Sequence, residues 1–261
     1  MKNYYFCFFP NKKKKAVTFS FDDGKLSDIK LAEDLNAYGA KCTFNLNYIT
    51  LGRENYIDKS FVKELAKTHE IASHSMSHVF MERLPQRELL KEIYEDKESI
   101  ENLIGLPVTG FAYPYGTYDE RVKDVVKSAG FLYARTVKDT FDFGYPTDYI
   151  EWHPTCHQSK ALPLIDKFLA RNTPLDVMYI WGHSREFNDN PDGLKNILAA
   201  LAKSDDIWYC TNTELYDYKK AIGDLRISAD GSHIYNPSAI SVFAVEGGRY
   251  IEIKPGHNEI D

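Results

Sequence analysis

The stretch Ala16–Gly24 reads Ala-Val-Thr-Phe-Ser-Phe-Asp-Asp-Gly, a mostly apolar run that ends in two carboxylates and a glycine. The next segment, Ser27–Tyr38, has helical periodicity and stops at Gly39. A glycine in the left-handed conformation is a typical end of an α-helix. A strand followed directly by an amphipathic helix is the repeating unit of parallel sheets. This stretch therefore predicts an α/β protein.

The same alternation recurs along most of the chain. The predicted strands are Ala16–Phe21, Lys41–Leu46, Ile71–Ser75, Val108–Tyr113, Phe131–Val137, Ile150–Thr155, Val177–Trp181 and Ile207–Thr211. The predicted helices are Ser27–Tyr38, Ser60–Thr68, Pro85–Ile104, Tyr118–Ala129, Ser159–Arg171 and Leu194–Lys203. Such alternation implies parallel strands joined by right-handed crossovers. We expect a (β/α) barrel of about seven parallel strands, distorted because two connections, 47–59 and 138–149, are long and irregular.

The pattern changes after about Leu225. Short strand-like pieces follow, separated by turn signals such as Asp230-Gly231 and Gly247-Gly248. Fewer than 40 residues make a poor independent core, so this part is expected to pack on the barrel. The predicted organisation is a catalytic barrel over residues 1–224 and a small β appendage over residues 225–261.

Composition limits the partners of this 261-residue chain. The formal net charge of -6 gives no electrostatic reason to expect nucleic acid or an anionic membrane surface. Apolar stretches such as Tyr4–Phe9 are far shorter than the ~20 residues that span a bilayer. Four scattered cysteines and no signal-peptide pattern favour a reduced, cytoplasmic protein, although a secreted chain without its leader would look the same. The oligomeric state stays open.

Two motifs at predicted strand ends suggest a metal site. Asp22 and Asp23 end the first strand, where Gly24 permits a turn that brings both carboxylates to one pocket; a helix cap is the alternative. His74 and His78 follow the third strand at a spacing that shares one face of a helical turn, and two surface histidines are the alternative. Active sites of barrels lie at the carboxyl ends of the strands, and two histidines with one carboxylate form a common metal site.

Two later strand ends add candidates. The fourth predicted strand leads into Tyr113-Pro114-Tyr115-Gly116, where the turn could direct a backbone N–H into the mouth of the barrel. The seventh ends in Trp181-Gly182-His183, which offers a histidine as a proton donor. An ordinary strand-to-helix turn and a structural histidine are the respective alternatives.

Taken together, these segments resemble the polysaccharide deacetylase family of metal-dependent carbohydrate esterases. Thr18–Gly24 is a close variant of the family motif Thr-Phe-Asp-Asp-Gly, and His74–His78 fits His-Ser/Thr-x-x-His. Pro114–Gly116 fits the end of Arg-x-Pro-Tyr-Gly, although Ala112 stands in place of the arginine. Tyr179–His183 is similar to the last motif, a hydrophobic strand that ends in histidine. The resemblance extends over roughly residues 16–215 and implies a distorted barrel, usually of seven strands.

The resemblance implies a role for each matched residue. The implied metal ligands are Asp23, His74 and His78, with Zn²⁺ as the expected ion. Asp22 would be the general base, and His183 would protonate the leaving amine. The backbone N–H of Tyr115 would help to stabilise the oxyanion.

Several positions depart from the family pattern or extend it. Arg135, near the end of the fifth predicted strand, is our candidate to replace the missing arginine, because a nearby positive charge keeps a carboxylate ionised. Asp148 and Glu151 are candidates for the acidic residue that tunes the catalytic histidine in the family. The residues expected to contact substrate are Trp181, Tyr113 and His157; a core tryptophan and a polar turn around His157 are the alternatives.

The expected function is removal of acetyl groups from an N-acetylated sugar or oligosaccharide by a metal-dependent hydrolase. The nearest alternative is an O-acetyl esterase acting on a polysaccharide such as xylan, because the same site also cleaves esters. A degenerate carbohydrate-binding protein would fit the loss of the arginine, but all the implied metal ligands are present.

Overall fold

The computed structural model describes residues 2–260 as a parallel sheet surrounded by helices, with two small antiparallel sheets beside it. Its strands are β1 (Tyr5–Phe8), β2 (Lys15–Asp22), β3 (Cys42–Leu46), β4 (Glu70–Ser73), β5 (Gly110–Ala112), β6 (Tyr133–Arg135), β7 (Cys156–His157), β8 (Asp176–Gly182), β9 (Ile207–Cys210), β10 (Arg226–Ile227), β11 (His233–Asn236), β12 (Val242–Glu246), β13 (Arg249–Ile253) and β14 (Gly256–Glu259). Its α-helices are α1 (Ser27–Ala37), α2 (Lys59–Leu65), α3 (Gln86–Ile104), α4 (Glu120–Ser128), α5 (Leu162–Ala170), α6 (Gly193–Leu201) and α7 (Asn212–Asp224).

The parallel strands confirm the predicted distorted (β/α) barrel. They are ordered β6-β5-β4-β3-β2-β8-β7, and β9 pairs with the first half of β2. Every residue of β2 is buried, because helices and loops cover the sheet on the outside while side chains fill the inside. The carboxyl ends of these strands lie at one end of the barrel, as predicted from the βα alternation.

The segment 152–157 joins the two ends of this curled sheet. The N–H of Trp152 donates to the carbonyl of Ala134 at 2.9 Å, and the N–H of Thr136 donates to the carbonyl of Trp152 at 3.0 Å. A few residues later, β7 pairs with β8. The strand predicted at Ile150–Thr155 is therefore wrong: a 3₁₀ turn, a single bridge at Trp152 and the short β7 replace it. Pro154 lacks an N–H and cannot take part in a regular ladder there.

Neither the helix α7 nor the strand β1 was predicted as regular structure. The helix α7 begins with a capping box, in which the Thr211 side chain accepts from the N–H of Glu214 and the Glu214 side chain accepts from the N–H of Thr211. The strand β1 lies in the apolar stretch near the start of the chain and pairs with β12. Single-strand periodicity does not reveal this pairing, because the partner is more than two hundred residues away.

The residues after α7, together with β1 from the start of the chain, form two three-stranded antiparallel sheets, β1-β12-β13 and β10-β11-β14. Their small core includes Ile234, Val242 and Ile253, which are almost fully buried. The Tyr218 hydroxyl of α7 donates to the carbonyl of Phe8 at 2.5 Å and so ties this region to the barrel. The division of the chain after residue 224 stays a prediction. No helix within residues 2–260 has both the length and the apolar character needed to cross a bilayer.

Candidate active site

The two adjacent aspartates at the end of β2 are turned toward one pocket by the backbone. Asp23 has φ 85° and Gly24 has φ 67°, so the chain leaves the strand through two left-handed residues. In a continuing strand, neighbouring side chains would point to opposite faces. Left-handed geometry disfavours most side chains other than glycine, so the strain at Asp23 is a local cost of this arrangement.

Asp22 is buried and held as a carboxylate. Burial by itself would raise its pKa, but Arg135 and, to a smaller degree, His74 and His183 lower it to about 2. Nη2 of Arg135 lies 2.6 Å from each oxygen of Asp22, and the side-chain amide of Asn45 donates to Oδ1 at 2.8 Å. The carboxylate therefore stays ionised across the neutral pH range.

Arg135 thus occupies the position that we expected for the missing arginine. It extends from the last residue of β6, is completely buried, and donates through Nη1 to the carbonyl of Thr136 at 3.0 Å. Its guanidinium carbon lies 4.8 Å from the ring centre of Trp181, which provides a cation–π contact. Ala112 pairs with Arg135 across β5 and β6, so the arginine is supplied by the strand next to the one that carries Ala112.

His74 and His78 lie on an irregular turn after β4, and not on the helical turn that their spacing suggested. Ser75 and His78 both have positive φ, at 62° and 55°, which excludes a right-handed helix. The turn still brings the two rings together, with centroids 4.8 Å apart. The two rings therefore lie on one side of the turn, as predicted, although the backbone is not helical. Backbone and hydroxyl groups of the turn are hydrogen-bonded to neighbouring elements, which hold it in this conformation.

Those elements are α3 and the loop after β3. The carboxylate of Asp96 accepts from the Ser73 hydroxyl at 2.6 Å and from the N–H of Tyr48 at 2.8 Å. The carboxylate of Glu92, one turn earlier on α3, accepts from the N–H of Ser77 at 2.9 Å. The Asn47 amide donates to the Ser75 carbonyl at 2.8 Å. The histidine turn is therefore supported along its whole length.

The His74 ring is neutral and has one nitrogen free for a ligand. Its Nδ1 lies 2.7 Å from the carbonyl of Ala112, and because a carbonyl only accepts, Nδ1 carries the proton. Burial, together with nearby His78, lowers the pKa of His74 to about 4 despite the attraction of Asp22 and Asp23. Nε2 therefore keeps its lone pair, 3.9 Å from Oδ1 of Asp23. This is the tautomer that a metal-binding histidine needs.

Asp23, His74 and His78 converge. Oδ1 of Asp23 lies 3.6 Å from Nε2 of His78 and 3.9 Å from Nε2 of His74, and all three ligand atoms lie within 4.8 Å of one another. Arg185 pairs with the other oxygen of Asp23, which leaves Oδ1 facing the histidines. Two imidazoles and one carboxylate fit a divalent transition-metal ion such as Zn²⁺.

His183 approaches Asp22 from the next strand of the sheet. Its Nε2 lies 4.0 Å from Oδ2 of Asp22, and its Nδ1 lies 2.9 Å from Oε1 of Glu186. Glu186 is the acidic partner of this histidine. Asp148 and Glu151, our two candidates for that partner, instead bond Lys123 at 3.2 and 3.1 Å, so this prediction is wrong. Asp148 and Glu151 lie at the end of the long irregular connection after β6, and no strand pairing in that segment could be predicted to locate them.

The predicted substrate contacts fall in different places. Trp181 is partly buried, and its ring lies 4.9 Å from the His157 ring and 5.9 Å from the His183 ring. His157 lies at the same edge of the pocket. Tyr113 is completely buried, and its hydroxyl donates to the carbonyl of Ile150 at 2.8 Å. This placement contradicts the expectation that Tyr113 contacts substrate.

Tyr115 lies at the mouth of the site in a left-handed conformation, with φ 58°. Its ring stacks on Phe80 with centroids 4.0 Å apart and meets the edge of His78 at 4.4 Å. The ring is half exposed. These contacts place the Tyr115 ring beside His78, one of the three residues that could hold a metal ion.

Several residues of the site were missed by sequence reasoning. Glu186 lies three residues after His183, and the His-x-x-Glu spacing is a signal that could have identified it. Arg185 and Asn45 carry no such signal, because their partners come from other strands. Asp96 was hidden in a helix whose polar residues resemble an ordinary solvated face, yet it is fully buried.

These features define a distorted (β/α) barrel with a two-histidine, one-carboxylate centre at the carboxyl end of its strands. The family model described as polysaccharide deacetylase matches residues 10–134. The chain is therefore similar to the polysaccharide deacetylase family over these residues, which agrees with the resemblance noted in its motifs.

Curated relatives show the same similarity. A peptidoglycan-N-acetylglucosamine deacetylase of Bacillus cereus is 28% identical over 215 residues, covering 80% of this chain and 92% of the relative. The peptidoglycan-N-acetylmuramic acid deacetylase PdaC of Bacillus subtilis is 27% identical over 118 residues, which cover 45% of this chain. The chain matches only 25% of the length of that relative.

Solved structures share the fold. The peptidoglycan deacetylase PdaC of Bacillus subtilis, solved as a D285S mutant, superposes with a TM-score of 0.59 at 18% identity and covers 82% of this chain and 95% of its own. A family 4 acetyl xylan esterase from Clostridium thermocellum, solved with a cobalt ion, gives 0.58 at 20% identity, with 78% and 92% covered.

Proposed function

We propose that this protein is a metal-dependent deacetylase that removes acetyl groups from an N-acetylated sugar polymer or oligosaccharide. The observation that carries the proposal is the convergence of Asp22 and His183 on one point beside the Asp23–His74–His78 group. The names of the curated relatives, which are mostly peptidoglycan deacetylases, support glycans built from N-acetylated amino sugars as the substrate class.

Asp23, His74 and His78 would hold the metal, and Zn²⁺ is the ion that we propose. When bound, such an ion polarises the acetyl carbonyl and lowers the pKa of a water toward ~7. The cobalt ion in a solved relative is consistent with a site for divalent transition metals.

The chain's own residues would then manage the protons. Asp22, ionised because Arg135 holds its pKa low, accepts a proton from the water that attacks the acetyl carbon. The N–H of Tyr115 donates to the developing oxyanion; one such donor is typically worth about 2.7–4 kcal/mol. His183 donates a proton through Nε2 to the departing nitrogen, while Glu186 accepts from Nδ1 and stabilises the charged ring.

Acetyl ester cleavage is the second candidate, since a solved relative with this fold is an acetyl xylan esterase. The two substrates differ in what they need from His183. An amine leaves only when it is protonated, whereas an alkoxide is a far better leaving group. The same site could therefore hydrolyse an ester with less help from this histidine.

The test is acetate release by the zinc-loaded protein from chitooligosaccharides and from acetylated xylan. We expect release from the N-acetylated substrate, and a His183→Ala variant that loses amide cleavage by a larger factor than ester cleavage. Chelation should stop both reactions, and added Zn²⁺ should restore them. Failure to release acetate from any N-acetylated glycan, with esters cleaved well, would replace the main proposal with the esterase.

A further inference from the structure

A second group of side chains that could hold a metal ion lies beside Asp22. His157, His183 and Glu186 bring one ligand atom each to within 4.8 Å of one another. Nδ1 of His183 lies 2.9 Å from Oε1 of Glu186, and Nε2 of His157 lies 3.1 Å from Oε2. The reaction described above requires only one imidazole on this carboxylate, so His157 has no assigned role in it.

The backbone fixes the three side chains. His157 ends β7 and pairs with Trp181 of β8, so it lies next to the start of the loop that carries His183. Glu186 follows His183 by three residues in a 3₁₀ turn, where residues at this spacing lie above one another. Gln158 donates to Oε2 of Glu186 at 3.0 Å and to the carbonyl of His183 at 3.2 Å. Ligands held in this way need little rearrangement to bind an ion.

We propose that His157, His183 and Glu186 form a second, inhibitory site for a divalent transition-metal ion such as Zn²⁺. Two imidazoles and a carboxylate suit Zn²⁺ in chemistry and number, with solvent completing the coordination. The side chains are 19%, 20% and 38% exposed, so an ion can reach them from solvent. Only the inhibitory effect rests on the proposed function, through the role of His183 as proton donor.

Inhibition follows from the protonation state that His183 needs in order to act as an acid. In the hydrogen-bonded arrangement, Nδ1 of His183 donates to Glu186, and protonation of Nε2 creates the acid. An ion on Nδ1 binds through the lone pair of that nitrogen in a neutral ring. The single N–H proton of the ring is then on Nε2. A metal-bound imidazole cannot also be an imidazolium, and giving up its last proton would leave an imidazolate. The leaving nitrogen then has no proton source.

His157 requires a similar change of tautomer. Its Nδ1 accepts from the N–H of Ser159 at 3.4 Å, so Nε2 carries the proton that is shared with Glu186. Metal binding through Nε2 moves that proton to Nδ1, where the Ser159 hydroxyl lies 2.9 Å away and can accept it. The ring is neutral before and after this change, so the change requires only exchange of the ring proton with solvent.

The experiment starts from protein loaded with one equivalent of Zn²⁺ and titrates further Zn²⁺. Bound zinc per chain is measured by equilibrium dialysis with elemental analysis, and acetate release is measured at each free zinc concentration. We expect a second zinc to bind more weakly than the first, and the rate to fall in proportion as this site fills. Each rate is expressed relative to the same protein at one equivalent.

Variants locate the two ions. His157→Ala and Glu186→Gln should keep the tight zinc and weaken the second by at least about 10-fold, because even loss of an outer partner costs 10–100-fold in affinity. His78→Ala should lose the tight zinc and keep the weak one. His233→Ala, which removes an exposed histidine on β11, should change neither.

A parent protein that binds one zinc only would overturn this inference, as would a second zinc that binds equally well to both the His157 and Glu186 variants. Neither result would affect the proposed deacetylase. A second zinc that binds without slowing acetate release would support the site and contradict the assignment of His183 as the proton donor. Zinc binding therefore tests the second site, and the rate of acetate release tests the role of His183, so the two proposals can fail independently.

Discussion

The two histidine clusters beside Asp22 are built in opposite ways. His74 and His78 belong to one turn after β4, so a short motif contains both. His157 and His183 come from the ends of two neighbouring strands, β7 and β8, and meet only because those strands pair. The first cluster can be recognised in the sequence, whereas the second depends on strand order and register.

Their support differs in the same way. The first turn is held from outside the sheet, since Asp96 and Glu92 on α3 bond its backbone and hydroxyls. The second cluster is held from within the pocket: Asp139 accepts from the N–H of His157 at 2.8 Å and from the Trp181 indole at 3.1 Å. The short motif therefore depends on a helix outside the sheet, and the pair from two strands depends on Asp139, a loop residue that bonds both strands.

The largest effect is expected from His78→Ala, which breaks the first cluster alone. Removing one of three proposed ligands should abolish tight zinc binding and reduce acetate release to background, as measured by elemental analysis and rate assay. Ser77→Ala is the matched control on the same turn, because its hydroxyl bonds Glu92 and Ser77 is not one of the three proposed ligands. Tight zinc binding that survives in His78→Ala would remove His78 from the ligand set.

Asp22 lies between the clusters, and Asp22→Asn should separate metal binding from turnover. Loss of a general base typically costs about 10²–10⁴-fold in rate, while the zinc content should stay at that of the parent. The buried Arg135 loses its counter-charge in this variant, which can cost about 3–5 kcal/mol of stability. The double variant Asp22→Asn, Arg135→Gln removes both charges and controls for folding. A rate within a few-fold of the parent would contradict the base assignment.

Asp96→Asn tests whether α3 supports the first cluster and not the second. Both oxygens of Asp96 accept hydrogen bonds, and an amide can accept at only one of them, so we expect a loss of about 1–3 kcal/mol. Zinc affinity at the first site should fall by about 10-fold. Urea unfolding and zinc titration measure the two effects. Glu95→Gln, an exposed neighbour on the same helix, should be silent; equal effects in both variants would refute the support role.

The smallest effect concerns acid stability. The native pKa of Asp22 is about 2, against an unfolded value near 3.9, so the carboxylate stabilises the fold above about pH 4 and loses this contribution as the pH falls toward 2. The expected contribution is roughly 2 kcal/mol in the metal-free protein. The difference in unfolding free energy between the parent and the double variant should shrink over that range. A constant difference would mean that Asp22 has an ordinary pKa.

Much of the barrel could be predicted from local patterns. Strands β2, β3, β8 and β9 and the helix α3 fall within a few residues of their predicted bounds, because apolar runs and Gly stops are local signals. The strand at Ile150–Thr155 failed because its pairing is a single bridge beside a proline. The helix α7 was missed although its capping box is readable. The strand β1 could not be found, because its partner lies at the other end of the chain.

The sequence by itself determined the βα alternation, the order of the four motifs and the identities of Asp22, Asp23, His74 and His78, since these depend on residues close together in the chain. Only the tertiary structure decided that Arg135, a candidate from its place near a strand end, reaches Asp22, that His157 meets the loop of His183, and that Tyr113 lies in the core. Those outcomes depend on which strands are neighbours and in what register. Such contacts join residues far apart in the chain, and no local spacing encodes them.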